Sequence, residues 1–472
     1  MWYGARVSTF DANGRVQVGL GTAVVLATLA ASSGCASSHA NPEGADASVS
    51  GAAAGGGPAP AQGSDAATDA SDPSCVPRTE SCNNIDDDCD GRVDEGSVCA
   101  WCRKRMSSWN HTCVLLRAGE VRCWGENFYG QLGDGTKRLR HTPVAVIGLG
   151  KAIEVSAGGD HTCARLSTGQ VKCWGRNTNG QLGDGTKTPS ATPVTVKGVI
   201  DAVEIATGNS HSCARLSTGQ VTCWGRNHDG QLGDGTVTSR STPVAVLGLS
   251  DTVEVAAGRW HTCARVSTGQ VACWGNDGEI RPGIPTASGL ATLIAGLGDA
   301  VEIAAGTWHT CARLSTGQVT CWGLNSEGQL GNGTTTASTA APVAVQGLSD
   351  SVEIAAGGFH TCARLRATGM RCWGVNGRSR LGDGTTASRS TPVAVTAVSA
   401  SVLSNSVEVA AGVEHTCVRL RAGEVKCWGG NTRGQLGDGN PFDYVPLKTS
   451  AISVSGLTLP VCPARSDGSR PE

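Results

Sequence analysis

The stretch His161-Thr162-Cys163-Ala164-Arg165-Leu166-Ser167-Thr168-Gly169-Gln170-Val171-Lys172-Cys173-Trp174-Gly175 decides the fold. Two short runs of strand-forming residues flank Ser-Thr-Gly, the composition of a three-residue hairpin loop in which Gly169 supplies a positive φ. Downstream come Asn177, then Gly180-Gln181-Leu182-Gly183-Asp184-Gly185-Thr186, a polar stretch, and Thr192-Pro193-Val194-Thr195-Val196. Val203-Glu204-Ile205-Ala206 then leads into the next histidine. The block recurs at His111, His161, His211, His261, His309, His360 and His415, at intervals of 50, 50, 50, 48, 51 and 55 residues.

Each unit therefore holds four short strands and no helical period. Seven such units predict an all-β chain, a seven-bladed β-propeller of four-stranded antiparallel blades, rather than an open solenoid. The chain has 472 residues and 66 Gly, about double the usual ~7%, which suits many tight turns. The first unit lacks a Val-Glu-Ile-Ala segment before His111. Residues 451–456 (Ala-Ile-Ser-Val-Ser-Gly) are similar to 152–158 (Ala-Ile-Glu-Val-Ser-Ala-Gly), so the last strand is expected to complete the first blade and fasten the ring.

The repeated H-T-C-A-R-L…G-x-V-x-C-W-G-x-N-x-x-G-Q-L-G-D-G-T pattern, over roughly residues 100–460, resembles the regulator-of-chromosome-condensation repeat in its bacterial secreted, cysteine-rich form. The resemblance implies a seven-bladed propeller whose repeated histidines are structural, bonding within or between blades. That family includes a nuclear exchange factor for a Ran-type GTPase and secreted bacterial propellers that bind protein surfaces, among them a β-lactamase inhibitor.

Fourteen of the 21 cysteines form seven pairs spaced by ten: Cys113/Cys123, Cys163/Cys173, Cys213/Cys223, Cys263/Cys273, Cys311/Cys321, Cys362/Cys372 and Cys417/Cys427. Thr168 lies midway in its hairpin, so Cys163 and Cys173 oppose each other, with Cα atoms about 4.5–5.5 Å apart and within disulfide reach. An alternative gathers His161, Cys163 and Cys173 as soft metal ligands; the cysteine count and the export signal below favour disulfides. Cys75, Cys82, Cys89, Cys99, Cys102 and Cys462 remain. Pairing of Cys462 with Cys99 or Cys102 would lock the ring closure.

Arg6 and Arg15 precede an apolar run over 16–31, and Ser32-Ser33-Gly34-Cys35 resembles a lipobox. Residues 1–34 thus read as a lipoprotein signal peptide with Cys35 as lipid acceptor, and Ala36 suits outer-membrane sorting, periplasm-facing or surface-exposed. Residues 35–74 are Ala, Gly, Ser, Pro and Asp, a disordered tether. Residues 75–99 form a small Cys/Asp-rich segment. Counting Asp86 as position 1, Asp86, Asp88, Asp90 and Asp94 place carboxylates at 1, 3, 5 and 9, with Gly91 at 6 and the Arg92 carbonyl at 7. That spacing suits Ca²⁺, which takes six to eight oxygens, although Ser97 stands where a bidentate Glu belongs. The segment is also similar to a short metal-binding motif repeated in bacterial surface proteins. The propeller covers 100–462, and 463–472 is a tail.

A net charge of −2 gives no global basic field for nucleic acid. No nucleophile elbow, HExxH or sialidase-type Asp-box stands out, so catalysis is not expected. The seven tryptophans of the Cys-Trp-Gly motifs read as core. Trp260, Trp308 and Phe359 instead vary a position just before the histidine, and variable positions on a regular scaffold carry binding. The fourth unit also departs after Gly275, with Asn-Asp-Gly-Glu-Ile-Arg-Pro-Gly in place of the Gly-Gln-Leu-Gly-Asp-Gly-Thr loop. The functional expectation is a lipid-anchored, non-enzymatic envelope propeller. It would bind an envelope or extracellular protein or glycan, touch the membrane only through its lipid, and engage neither nucleic acid nor a GTPase. The alternatives are an enzyme inhibitor and, by family analogy, a guanine-nucleotide exchange factor.

Overall fold

A computed structural model describes residues 105–276, 289–336, 338–366, 369–440, 448–457 and 459. The signal peptide, the tether, Cys35, the proposed Ca²⁺ ligands Asp86, Asp88, Asp90, Arg92 and Asp94, the six unassigned cysteines and the 463–472 tail lie outside these residues.

The described chain forms seven four-stranded antiparallel sheets, each built from four consecutive strands. The first blade is β1 (Met106–Ser108), β2 (His111–Leu115), β3 (Val121–Gly125) and β4 (Arg140–Ala145). The second is β5 (Ala152–Ala157), β6 (His161–Leu166), β7 (Val171–Gly175) and β8 (Ser190–Thr195). Blades three to six open with β9 (Ala202–Thr207), β13 (Thr252–Ala257), β17 (Ala300–Ala305) and β21 (Ser351–Ala356). The seventh is β25 (Ser406–Ala411), β26 (His415–Leu420), β27 (Val425–Gly429) and β28 (Lys448–Ser453). The opening strand of each blade packs against the opening strand of the next, and β25 meets β1, so these strands ring the centre. The hairpin loop is as the sequence predicts: Gly169 N donates to Leu166 O at 3.0 Å, with Gly169 at φ 80°. A short helix, α1 (Ala400–Leu403), lies in the 55-residue interval between the sixth and seventh histidines.

The hydrophobic cores lie between blades rather than within them. Leu115, Val121 and Leu132 of the first blade pack with Val155, Ala164 and Trp174 of the second, and six equivalent clusters complete the circle. One unit therefore cannot bury its apolar faces alone; each needs a neighbour on both sides. The motif tryptophans fill these seams. Trp174 is fully buried and its Nε1 donates 2.8 Å to Gln131 O of the preceding blade.

The repeated histidine is the second seam element. His161 Nε2 meets Ser212 Oγ of the next blade at 2.8 Å, and His111 meets Thr162 at 2.7 Å. The series runs round the ring and ends with His415 on Thr112 at 2.7 Å. Six of these hydroxyls donate onward to a backbone carbonyl, as Thr162 does to Gln131 O at 2.8 Å. Their oxygens are thus left to accept, which places the proton on Nε2. Nδ1 of all seven is buried without a partner. A close-packed glycine stands over six of the seven rings, Ser108 taking its place before His111: a Cβ on Gly208 would lie 2.3 Å from His211 Cε1 and 2.3 Å from Gly258 O.

A third element is absent from the sequence reading. Glu154 Oε2 accepts from Arg165 Nε at 2.7 Å, while its Oε1 accepts the Ile205 amide of the next blade at 3.2 Å. Glu254, Glu302 and Glu353 repeat this staple, and Glu408 supplies it at the closing seam. The signal was present as a Glu and an Arg recurring eleven residues apart in successive units.

The expected closure by a shared blade is not what the structure shows. Residues 448–453 form β28, the outer strand of the seventh blade, where Ile452 pairs with Cys427 as Val144 pairs with Cys123. The first blade has its own inner strand, β1, in which Met106 opposes Val114. Alternating apolar residues suit inner and outer strands equally, and 451–457 ends in Gly456-Leu457 as the outer-strand segment ends in Gly148-Leu149. The ring closes without strand exchange. Glu408 Oε1 accepts the amides of Arg105 and Met106 at 2.7 Å each, His415 reaches Thr112, and Trp124 Nε1 donates 2.9 Å to Gln435 O.

Candidate functional site

Antiparallel strand order sends two kinds of connection to the same end of the ring. These are the tight turn between the inner strand and the histidine strand, and the long loop that follows Cys-Trp-Gly. The long loops are rigid polar units. Asn127 Oδ1 accepts the Leu132 amide at 3.0 Å, and its Nδ2 donates to Asp134 Oδ1 at 3.1 Å and Arg138 O at 2.9 Å. Burial works against the Asp134 carboxylate, but hydrogen bonds from Thr136, Arg140 and Asn127 outweigh it and hold its pKa below the usual carboxylate value. Asp234 and Asp383 behave alike. The side chains of these Gly-Asp-Gly-Thr turns are thus occupied in holding the loop.

The tight turns are stitched blade to blade by backbone bonds. Gly159 N donates to Gly208 O, Asn209 N to Gly258 O, Thr307 N to Gly357 O, Gly358 N to Gly412 O and Val413 N to Trp109 O, at 3.0–3.3 Å. These bonds set the spacing of the turns at five of the seven seams. Trp260 of the fourth blade and Trp308 of the fifth meet edge to face, ring centroids 4.6 Å apart at 87°. Phe359 is half-buried at the same turn of the sixth blade and has no ring contact to either tryptophan among the described residues. Asn110, at the first turn, is also half-buried and its carbonyl accepts the Glu126 amide.

Two arginines complete the cluster, and the sequence reading missed both. The Arg259 guanidinium lies 4.7 Å from the Trp260 ring centroid and 5.1 Å from that of Trp308; Arg226 lies 5.5 Å from Trp260. Arg226 also pairs with Asp229 at 3.0 Å. No carboxylate pairs with Arg259 among the described residues, and its Nε is buried without an acceptor. Burial, and then the like charge of Arg226, push the Arg259 pKa below its usual value. The irregular fourth-unit loop begins here: Asn276 N donates 3.0 Å to Trp260 O. Its residues 277–288 lie outside the described set. Other arginines at this end do have a carboxylate, as in Arg176–Asp160 at 3.0 Å, while Arg380, whose Nε is also buried without a partner, donates Nη1 to Val413 O at 3.0 Å.

The seven cysteine pairs are joined as Cys113–Cys123, Cys163–Cys173, Cys213–Cys223, Cys263–Cys273, Cys311–Cys321, Cys362–Cys372 and Cys417–Cys427, with Cα atoms 4.0–4.1 Å apart. With Cys163 and Cys173 linked and His161 engaged by Ser212, the His161–Cys163–Cys173 triplet is committed to structure rather than to a metal.

Comparison with known proteins agrees with this architecture. A sequence profile described as RCC1-like domain matches residues 151–458, and one for the regulator of chromosome condensation (RCC1) repeat matches 118–165. Among curated proteins, the human probable E3 ubiquitin-protein ligase HERC3 is 31% identical over 140 residues, 29% of this chain and only 13% of that protein. Among solved structures, yeast RCC1 (Prp20) bound to Kap60 superposes with a TM-score of 0.64 at 22% identity, covering 76% of this chain and 87% of that one. Human WBSCR16 gives 0.63 at 21% identity, covering 72% and 94%. These structural likenesses establish the fold, and the profile spans more than half of the sequence: the chain belongs to the RCC1-like domain family.

Proposed function

We propose that this chain is a lipid-tethered, cystine-braced propeller outside the cytoplasm that binds a protein or glycan of the cell envelope through the tight-turn end of the ring. The observation that carries the reading is the half-exposed Trp260–Trp308 pair with Arg259 against it. Arg and Trp are the residues that dominate binding hot spots, and here the scaffold holds them in fixed positions. The lipobox-like 32–35, the 35–74 tether and seven hairpin disulfides support an exported location. The Asp/Gly loop over 86–94 would take Ca²⁺ as a separate, structural site.

A catalytic role has less to work with. Each repeated histidine spends Nε2 on the neighbouring blade, and the repeated Asp carboxylates hold their own loops. Nucleotide exchange is the second reading: Prp20p from Saccharomyces cerevisiae, a propeller of the same fold, has binding properties toward Gsp1p and histones. An exported, cystine-rich chain would meet no cytosolic GTPase.

The test immobilises the mature, oxidised chain and captures partners from an envelope extract. A partner should be retained by the wild type and weakened by about tenfold or more in Trp260→Ala/Trp308→Ala. Equal retention by the double variant, turnover of a glycan substrate, or accelerated nucleotide release from a GTPase would each contradict the reading.

A further inference from the structure

Arg259 differs from the other arginines at this end of the ring in lying against two indole rings; Arg380, also without an ion pair among the described residues, donates to the Val413 carbonyl. Arg176 and Arg226 each have a carboxylate within 3.0 Å, and Arg140, Arg240 and Arg389 hold the loop aspartates. Arg259 is instead held by two indole rings and repelled by Arg226. A cation kept partly desolvated, with no counter-charge among the described residues, is a local electrostatic deficit. Resting on the binding reading above, we propose that the Arg259–Trp260–Trp308 cluster is the receptor for a carboxylate on an acidic peptide segment of a protein partner.

The chemistry follows from the parts. A guanidinium presents a planar fork of N–H donors that fits a carboxylate with two parallel hydrogen bonds. Stacking on indole leaves that in-plane edge available, because the ring attracts the cation through its face. Trp308 stands edge-on to Trp260 and adds an apolar wall, so a carboxylate beside an aromatic or aliphatic residue satisfies both features. A sugar stacks on a bare aromatic face. The Trp260 ring already carries two guanidiniums, which favours a peptide carboxylate over a glycan.

The test titrates the mature oxidised chain with an alternating Phe-Glu octapeptide, its Phe-Gln counterpart and oligogalacturonate, following tryptophan fluorescence and heat. The Phe-Glu peptide should bind, weaken with added salt, and exceed Phe-Gln by about tenfold or more. Arg259→Gln should abolish that preference, and Arg259→Lys, which keeps the charge but loses the fork, should restore only part of it. A melting profile matching the wild type shows that these variants are folded. Equal affinity for both peptides, binding indifferent to Arg259, or Arg259-dependent binding of oligogalacturonate alone would overturn the proposal. An envelope partner lost in Trp260→Ala/Trp308→Ala but retained by Arg259→Gln would sink the carboxylate receptor while leaving the binding face intact.

Discussion

Replacing Glu408 with Leu is expected to be the most damaging single change in the ring, costing about 3–5 kcal/mol. Glu408 and Arg419 are 3% and 0% exposed, and the carboxylate serves three donors: Arg419 Nε at 2.8 Å and the amides of Arg105 and Met106 at 2.7 Å. Those amides are about 300 residues distant in sequence and belong to the first blade, across the seam where the two ends of the ring meet. The substitution takes the carboxylate from a buried guanidinium and from two N–H groups at once. Glu154, in the same role at an internal seam, pairs with an arginine at about one-fifth exposure, so Glu154→Leu should cost nearer ~1 kcal/mol. Guanidinium-induced unfolding without reductant measures both. In the double variant Glu408→Leu/Arg419→Leu much of the loss should return, because the buried positive charge that the carboxylate balanced is gone as well. Equal effects of Glu408→Leu and Glu154→Leu would show that the closing seam is no more critical than the rest.

Mild acid should unfold the ring through its histidines. Burial pushes His111, His161, His211, His309 and His415 down to about 3, and His360 well below its ordinary value of 6.5. Below pH 6.5 the unfolded chain takes up protons that the folded ring refuses. Stability is therefore fully present above 6.5, rises with pH across the window, and is lost as pH falls from 6.5 toward 3. Each such histidine contributes up to ~1.4 kcal/mol per pH unit in that window, so six acting together make the decline steep. Glu154 and Glu204 act oppositely. Burial raises their folded pKa above 4.5, so protonation at lower pH relieves them and offsets a small part of the loss. The slope of unfolding free energy against pH, and proton uptake on unfolding at pH 5, check this. Uptake of several protons is expected; a flat profile down to pH 4.5, with collapse only where carboxylates titrate, would contradict it.

The seven blades were legible because the His-Thr-Cys…Cys-Trp-Gly hairpin carries its own register. Ser-Thr-Gly fixes the turn, and the turn sets Cys163 opposite Cys173. Closure was misread because 451–456 alternates like either edge of a blade, and only pairing of Ile452 with Cys427 assigns it. The Glu–Arg staples needed the register between β5 and β6, where Glu154 opposes Arg165, before two residues eleven apart became neighbours. For the binding face, Trp260 and Trp308 stood out as variable positions. Arg226 and Arg259 did not, because the approach of Arg226 to Trp260 and of Arg259 to Trp308 runs between neighbouring blades.

The most direct test of an exported, tethered binding propeller is peptide mapping of the protein isolated from its own cells, digested with and without reduction. The account predicts a mature N-terminus at a lipid-modified Cys35 and seven disulfide-linked hairpin peptides, Cys113–Cys123 through Cys417–Cys427. Residues 1–34 still attached together with free thiols in the hairpins would contradict it, and would move the search for its partner into the cytoplasm.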